Sequence, residues 1–296
     1  MTENQPKLAY IGLGLMGGPM ATRLAAAGFQ IAVWNRSEEK TRPAVAAGAR
    51  LATSPSDAAT GTDIIFTCLT DTDAVEAVAF GPGGIAEVAS KDMIVVDFSS
   101  MKPEKAAEFA SRLRAETGAG WVDAPVSGGV PGATNGTLTI MAGGEEADFI
   151  AVQPLIEAHL AARFTLMGPN GAGQTTKLIN QMMVGGMFAL LAEATQLAKD
   201  GGVDAGRIPA ALAGGRADSP TMQHFMPKMA RSDYTLEGAI SIMVKDLNTV
   251  QETARRQGTP IPMTSLALEL HRILAKRGHA GADNAAMIRL YNDKDT

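Results

Sequence analysis

The 296-residue sequence predicts an α/β protein of two domains, a parallel sheet covered by helices followed by an all-helical domain that is entered through one long helix. Three observations predict it. The first two thirds of the chain alternate short β-branched runs with alanine-rich amphipathic segments, as strands buried on both faces alternate with crossover helices. The opening run leads directly into a glycine-rich turn at residues 12–17. Beyond Gly168-Pro169-Asn170-Gly171 the β-like runs cease, and a helical pattern starts at residue 174 and continues to 199.

Taken in order, the expected strands are residues 8–12, 31–34, 64–68, 94–98 and 121–123, each short and nearly continuous in apolar residues. Helical composition or spacing marks 17–27, 37–47, 71–80 and 102–116 between them. Ser37 reads as a helix N-cap and Gly28 as a helix stop. Runs 138–141 and 164–167 flank a further helical segment and are expected to extend the same sheet. The long helix carries Met182, Met183, Val184, Met187, Phe188, Leu190 and Leu191, apolar around most of its circumference, so it is expected to be buried in the second domain or in a subunit contact. The boundary falls at 169, giving domains 1–169 and 170–296. The 16 methionines read as adaptable core filler.

Composition excludes several function classes. With 26 Lys+Arg against 31 Asp+Glu and a net charge of -5, no concentrated basic face exists to meet nucleic acid. The single cysteine, Cys68, cannot form an internal disulfide, and the four histidines lack metal-ligand spacing, so no metal is expected. The longest uncharged apolar stretch, 182–192, falls short of the roughly 20 residues that span a bilayer, and the N-terminus has no signal-peptide pattern. A reducing, cytoplasmic setting without membrane attachment is the expectation.

The turn Gly12-Leu13-Gly14-Leu15-Met16-Gly17 follows a strand and opens a helix, the context in which a GxGxxG sequence binds a dinucleotide. Its glycines permit a tight turn and close backbone approach to a pyrophosphate, while the helix N-terminus offers N–H groups to that anion. The next strand ends in Asn35-Arg36-Ser37, where an NAD-binding chain usually carries an acidic residue for the ribose 2′-hydroxyl, roughly 20 residues past the glycines. No carboxylate lies between Glu3 and Glu38, and Arg36 can pair with a 2′-phosphate, so NADPH is expected in preference to NADH. Leu69, Thr70 and Asp71 follow one strand and Ser99 and Ser100 another; at carboxyl ends of parallel strands these loops are expected to line the ribose and nicotinamide.

Two further segments carry the substrate reading. Asp123-Ala124-Pro125-Val126-Ser127-Gly128-Gly129 ends a strand in a hydroxyl and two glycines, a turn able to aim consecutive N–H groups at a substrate carboxylate. Gly171-Ala172-Gly173-Gln174-Thr175-Thr176-Lys177-Leu178-Ile179-Asn180-Gln181 places Lys177 early in the long helix, with Asn180 and Gln181 three and four residues on, along the same face. A lysine there can protonate the alkoxide formed as hydride arrives and take the proton back in reverse.

On these residues the chain resembles the β-hydroxyacid dehydrogenases, the group containing 3-hydroxyisobutyrate dehydrogenase and tartronate semialdehyde (2-hydroxy-3-oxopropionate) reductase. The matching pieces are Ile11 to Gly17, Asp123 to Gly129, the Gly-x-Gly-x-x-x-Lys-x-x-Asn run ending at Asn180, and Lys245-Asp246-Leu247, in the right order over nearly the whole chain. The resemblance implies a Rossmann-type domain joined by a long helix to an all-α domain, and a hydride-transferring oxidoreductase acting on a small β-hydroxy acid or carboxylate-bearing semialdehyde. It implies Lys177 as general acid/base, Ser127, Gly128 and Gly129 on the substrate carboxylate, Asn180 with its neighbour orienting the substrate, Lys245 near the cofactor, and Asp246 in a supporting ionic role. Homodimers or homotetramers formed through the helical domains are implied too. Gln181 replaces the second Asn of some members, which leaves open which amide meets substrate. An imine reductase on a related architecture and a non-catalytic NADP-binding module are the alternatives; both have less reason to keep Lys177 together with Ser127 to Gly129.

Overall fold

Strands β1 (Leu8–Ile11), β2 (Ile31–Trp34), β3 (Arg50–Leu51), β4 (Ile64–Thr67), β5 (Ile94–Asp97) and β6 (Gly120–Asp123) form one parallel sheet in the order β3-β2-β1-β4-β5-β6. This is the doubly wound order of a Rossmann-type domain, with its switch point between β1 and β4. The computed structural model describes residues 5–292, and the chain divides between Lys177 and Leu178 into two compact units.

Helices α1 (Gly17–Ala26), α2 (Arg42–Ala46), α3 (Pro55–Ala59), α4 (Thr72–Phe80), α5 (Pro103–Thr117), α6 (Gly129–Asn135) and α7 (Glu146–His159) belong to the first unit. The period of two along each strand divides the core between the two faces of the sheet. Leu8 and Tyr10 of β1 face Met20, Leu24 and Phe66, whereas Ala9 and Ile11 join Ile65, Val95, Phe109 and Trp121. All four residues of β1 and of β4 are buried, which explains why their sequences show no polar alternation.

Two expectations are corrected here. Runs 138–141 and 164–167 do not extend the main sheet: β8 (Leu138–Ala142) pairs with both β7 (Val126–Ser127) and β9 (Ala161–Leu166) in a separate three-stranded sheet of order β7-β8-β9. Pro125 has no N–H to continue the ladder beyond β6, so the chain leaves the first sheet there. An isolated bridge between Asp123 and Gly143 links the two. Ser37 makes no capping bond; a 3₁₀ turn, Glu38–Thr41, intervenes, and Pro43 sets the start of α2 at Arg42. Gly28 does follow α1 with a φ of 88°, as a helix stop should.

Among the described residues the second unit is helical apart from an isolated bridge: the greater part of α8 (Ala172–Asp200), then α9 (Ile208–Leu212), α10 (Pro220–Arg231), α11 (Ile240–Gln257), α12 (Pro262–Leu274) and α13 (Arg289–Asn292). Its core joins Phe188 and Leu191 of α8 to Met222, Met226 and Met229 of α10, Met243 and Leu247 of α11, and Leu268 of α12. Gly185 lets α11 approach closely, since a Cβ there would lie 3.0 Å from a methyl of Leu247. Of the two places expected to bury it, the core of the second unit covers only part of the circumference of α8, which leaves Ile179, Met183, Leu190 and Leu197 exposed. This helix is also apolar enough, by length and composition, to cross a membrane, as the core helix of a soluble protein can be.

Candidate active site

The glycine turn is built by two different constraints. Gly12 has a φ of 96° and its Cβ would lie 2.4 Å from the Cys68 carbonyl oxygen; a Cβ on Gly17 would lie 2.0 Å from the carbonyl oxygen of Gly12. Packing of β1, β4 and α1 therefore demands both glycines. Gly14 is different, because a Cβ there would meet nothing within 4 Å and the residue is exposed. Its missing side chain serves no internal contact and leaves a cradle open to the backbone, as a dinucleotide pyrophosphate requires.

Asn35 stands where β2 ends, and its side chain braces the glycine turn. Its Oδ1 accepts the Leu13 amide at 2.9 Å and its Nδ2 donates to the Ser37 carbonyl at 2.8 Å. Arg36 beside it is exposed, as are Gly14 and Leu15, while Met16 and Ser37 are half-buried.

The loops after β4 and β5 are cross-braced. The Leu69 amide donates to Ser99 Oγ at 2.8 Å, the Ser99 amide to Asp97 Oδ1 at 3.0 Å, and Thr67 Oγ1 to the same oxygen at 2.7 Å. Ser99 is thus a buried strut, whereas Thr70 is exposed and Ser100 half-buried. Asp97 is fully buried with Oδ2 lacking a hydrogen-bond partner, and burial holds its carboxyl above the usual range despite the Ser99 and Thr67 bonds. Burial, with the Asp97 charge nearby, pushes the half-buried Cys68 thiol up to about 12, which makes it unreactive as a nucleophile.

Asp123 organises the start of α8. Its Oδ1 accepts the Gly171 amide at 2.8 Å and its Oδ2 the Gln174 amide at 3.1 Å, satisfying N–H groups that the helix itself cannot. Burial raises its carboxyl to about 7, a rise that these two backbone bonds oppose. Gly173 is needed because a Cβ there would lie 2.5 Å from the Met141 carbonyl oxygen and 2.6 Å from that of Asp123. Gln174 then clamps the β5 loop, donating to the Ser99 carbonyl at 2.8 Å and accepting the Met101 amide at 3.1 Å. One turn on, Lys177 is buried and its Nζ donates to the Val126 carbonyl at 2.8 Å. The ammonium is thereby held at the residue preceding Ser127, Gly128 and Gly129, whose turn has φ values of 126° and 61° at its two glycines.

In the second unit, Asn180 Nδ2 donates to Gln181 Oε1 at 2.9 Å, Gln181 Nε2 donates to Asp246 Oδ2 at 2.5 Å, and Asp246 Oδ1 lies 3.1 Å from Lys245 Nζ. Residues of the 221–240 region belong to this unit's own packing. Met222 lies in its core, Phe225 meets Phe188 edge-on at 4.7 Å, Tyr234 lies against the Arg289 guanidinium at 4.9 Å, and His224 bonds Glu237 at 2.7 Å. Sequence reasoning assigned no role to Gln174, and it placed Asn35 on the cofactor without seeing its bond to Leu13. An amide one turn before a buried lysine was the available signal for the first; nothing local could give the second.

The family described as the NAD binding domain of 6-phosphogluconate dehydrogenase matches residues 7–168, and that described as NAD-binding of NADP-dependent 3-hydroxyisobutyrate dehydrogenase matches residues 171–291. The 2-hydroxy-3-oxopropionate reductase of Escherichia coli is 37% identical, the match covering 96% of this chain and 96% of the relative. The NAD-dependent L-serine dehydrogenase of Pseudomonas aeruginosa is 33% identical over 97% of this chain and 98% of its own. Among solved structures, Mycobacterium tuberculosis 3-hydroxyisobutyrate dehydrogenase with L-serine superposes with a TM-score of 0.87 at 26% identity, covering 97% of this chain and 99% of that one.

Proposed function

The chain belongs to the β-hydroxyacid dehydrogenase family of NAD(P)-dependent oxidoreductases, which includes 3-hydroxyisobutyrate dehydrogenase, and from that premise we propose that it uses NADP(H) to interconvert a small β-hydroxy acid and a carboxylate-bearing semialdehyde, with Lys177 as general acid/base. The observation that carries this reading is the burial of Lys177 with its Nζ 2.8 Å from the Val126 carbonyl, beside the Ser127-Gly128-Gly129 turn. When bound, the nicotinamide supplies or accepts the hydride. Lys177 gives its proton to the substrate oxygen as the carbonyl carbon is reduced, and recovers one when the alcohol is oxidised. Ser127, Gly128 and Gly129 hold the substrate carboxylate, which places the reacting carbon by its attached acid group. Asn180 orients the oxygen-bearing end of the substrate.

Leu13 to Met16 would hold the cofactor's pyrophosphate, with Gly14 keeping the cradle open, and Leu69, Thr70 and Ser100 would border its nicotinamide half, with Ser99 buried behind them as their brace. The preference for NADPH rests on exposed Arg36 at the end of β2 and on Asn35, a neutral residue tied to the glycine turn where a carboxylate would repel a 2′-phosphate. Lys245, paired with Asp246, is a further cofactor-binding cation in this proposal. Exposed Ile179, Met183, Leu190 and Leu197 on one long helix support a homodimer or homotetramer.

The test is turnover of the purified protein with NADPH against 2-hydroxy-3-oxopropionate, succinic semialdehyde and methylmalonate semialdehyde, and with NADP⁺ against 3-hydroxyisobutyrate, with cyclic imines as a control. Turnover of at least one acid-bearing substrate is expected. Activity confined to imines would overturn the reading, and NADPH binding without turnover of anything would leave a binding module.

A further inference from the structure

A line of polar side chains runs through the second unit from Lys245 to Asp246, Gln181 and Asn180. Asp246 is 5% exposed and Gln181 9% exposed, so both are withdrawn from water and their bonds cannot be exchanged cheaply for solvent. The direction of the line is fixed by chemistry. A carboxylate paired with a lysine accepts hydrogen bonds and offers none, so Gln181 must turn its amino group toward Asp246. Its carbonyl end then faces Asn180, which must answer with its own amino group. A side-chain amide has two orientations of nearly identical shape, and here one carboxylate decides between them for two amides in succession.

We propose that Gln181 is a positioning residue that carries the polarity of Asp246 to Asn180, and that Asn180, not Gln181, is the amide that meets the substrate. This rests on the dehydrogenase reading above, which puts Asn180 on the substrate. With Nδ2 directed at Gln181, the Asn180 carbonyl oxygen is turned the other way. That oxygen has two lone pairs, so it can accept the hydroxyl of a β-hydroxy acid alongside an internal donor. A reversed amide would put an N–H where the hydroxyl hydrogen has to point. Gln181 suits the middle position because its side chain reaches a neighbouring helix while its carbonyl stays within 2.9 Å of Asn180.

The proposal is tested by a double-mutant cycle and by one spectroscopic measurement. Asn180→Ala, Gln181→Leu and the double variant are assayed with NADPH and 2-hydroxy-3-oxopropionate, with Gln181→Met standing in if the leucine variant does not fold. Gln181→Leu is expected to lower kcat/KM about tenfold with NADPH affinity unchanged, Asn180→Ala to lower it further, and the double variant to be no worse than Asn180→Ala alone. A residue that touched substrate itself, or merely supported the fold, would multiply the two losses, and that result overturns the proposal. Independently of turnover, the Asn180 side-chain amide signals of ¹⁵N-labelled protein, assigned by their loss in Asn180→Ala, are expected to move in both Gln181→Leu and Asp246→Asn. Signals unmoved in Gln181→Leu overturn the relay. Signals that move in a protein inactive on every acid-bearing substrate would uphold the relay while removing the proposed reaction.

Discussion

The Asp123 carboxylate and the Gly171 amide lie 2.8 Å apart across 48 positions of sequence, and this bond ties the end of β6 to the start of α8. Four residues, Asp123 to Val126, thus hold the first turns of that helix twice: by a side chain at Gly171 and Gln174, and by a backbone carbonyl at the Lys177 ammonium. The general-acid role proposed for Lys177 needs its position fixed, and this segment supplies the position.

Replacing Lys177 by alanine is expected to lower kcat by about 10²-fold or more, the range for losing a positioned general acid. The Kd for NADPH, measured by quenching of protein fluorescence, should be unchanged. Near-normal turnover would take Lys177 out of the mechanism.

Arg36→Ala is expected to cut the ratio of kcat/KM for NADPH over NADH by about 10-fold or more, as one charge-assisted hydrogen bond is worth about 1.5–3 kcal/mol. The effect should fall on NADPH alone. Equal losses with both cofactors would show that Arg36 stacks on the adenine rather than reading the 2′-phosphate.

The two kinds of glycine in the turn give opposite results with the same substitution. Gly17→Ala forces a methyl group into the Gly12 carbonyl oxygen, at 2.0 Å, and is expected to cost about 1–3 kcal/mol of stability. Gly14→Ala has open space around it and should leave Tm nearly unchanged while weakening NADPH binding several-fold. Thermal melts with and without NADPH separate the two.

Asp123 makes stability depend on pH in a defined direction. Burial raises its folded-state carboxyl to about 7 from the ordinary 3.8, so between those two pH values the native state binds a proton that the unfolded chain has released. Its contribution therefore favours the fold at the acid end of that window and is lost as pH rises through about 7. Asp123→Asn cannot titrate and offers one acceptor to two amides; it is expected to be less stable by about 1–3 kcal/mol. Its deficit relative to the parent should shrink between pH 5 and pH 8 in urea titrations. A constant difference would show that Asp123 does not titrate there.

How much of this was readable in the sequence depends on the distance over which each feature is decided. The strand Leu8–Ile11, the glycine turn and α1 are set by neighbours a few residues apart, and they appear where periodicity and the glycines put them. The same holds for α8, which lies within two residues of its expected ends. Residues 138–141 have a strand pattern, but no local signal says that Val126 and Ser127, rather than β6, are their partners. Ser37 has the composition of a cap, yet Pro43 decided where the helix begins. At the site, Lys177 and Asn180 could be placed on one helix from spacing alone, whereas the Gln181 bond to Asp246 spans 65 positions and required the packing of α11 on α8.

The separation of the three-stranded sheet from the six-stranded one has a consequence for how such a protein can diversify. The turn Ser127 to Gly129 belongs to β7 and α6, while the glycine turn belongs to β1 and α1, and an isolated bridge between Asp123 and Gly143 links the two sheets. Under the proposed function, insertions or exchanges between β7 and β8 would reshape the contact made with an acid while the strands beneath the glycine turn keep their pairings. The separation is partial, because Arg23 of α1 donates to the Thr134 and His159 carbonyls, so a scaffold that acquires a new acid has to keep α6 and α7 seated on the helix of the glycine turn.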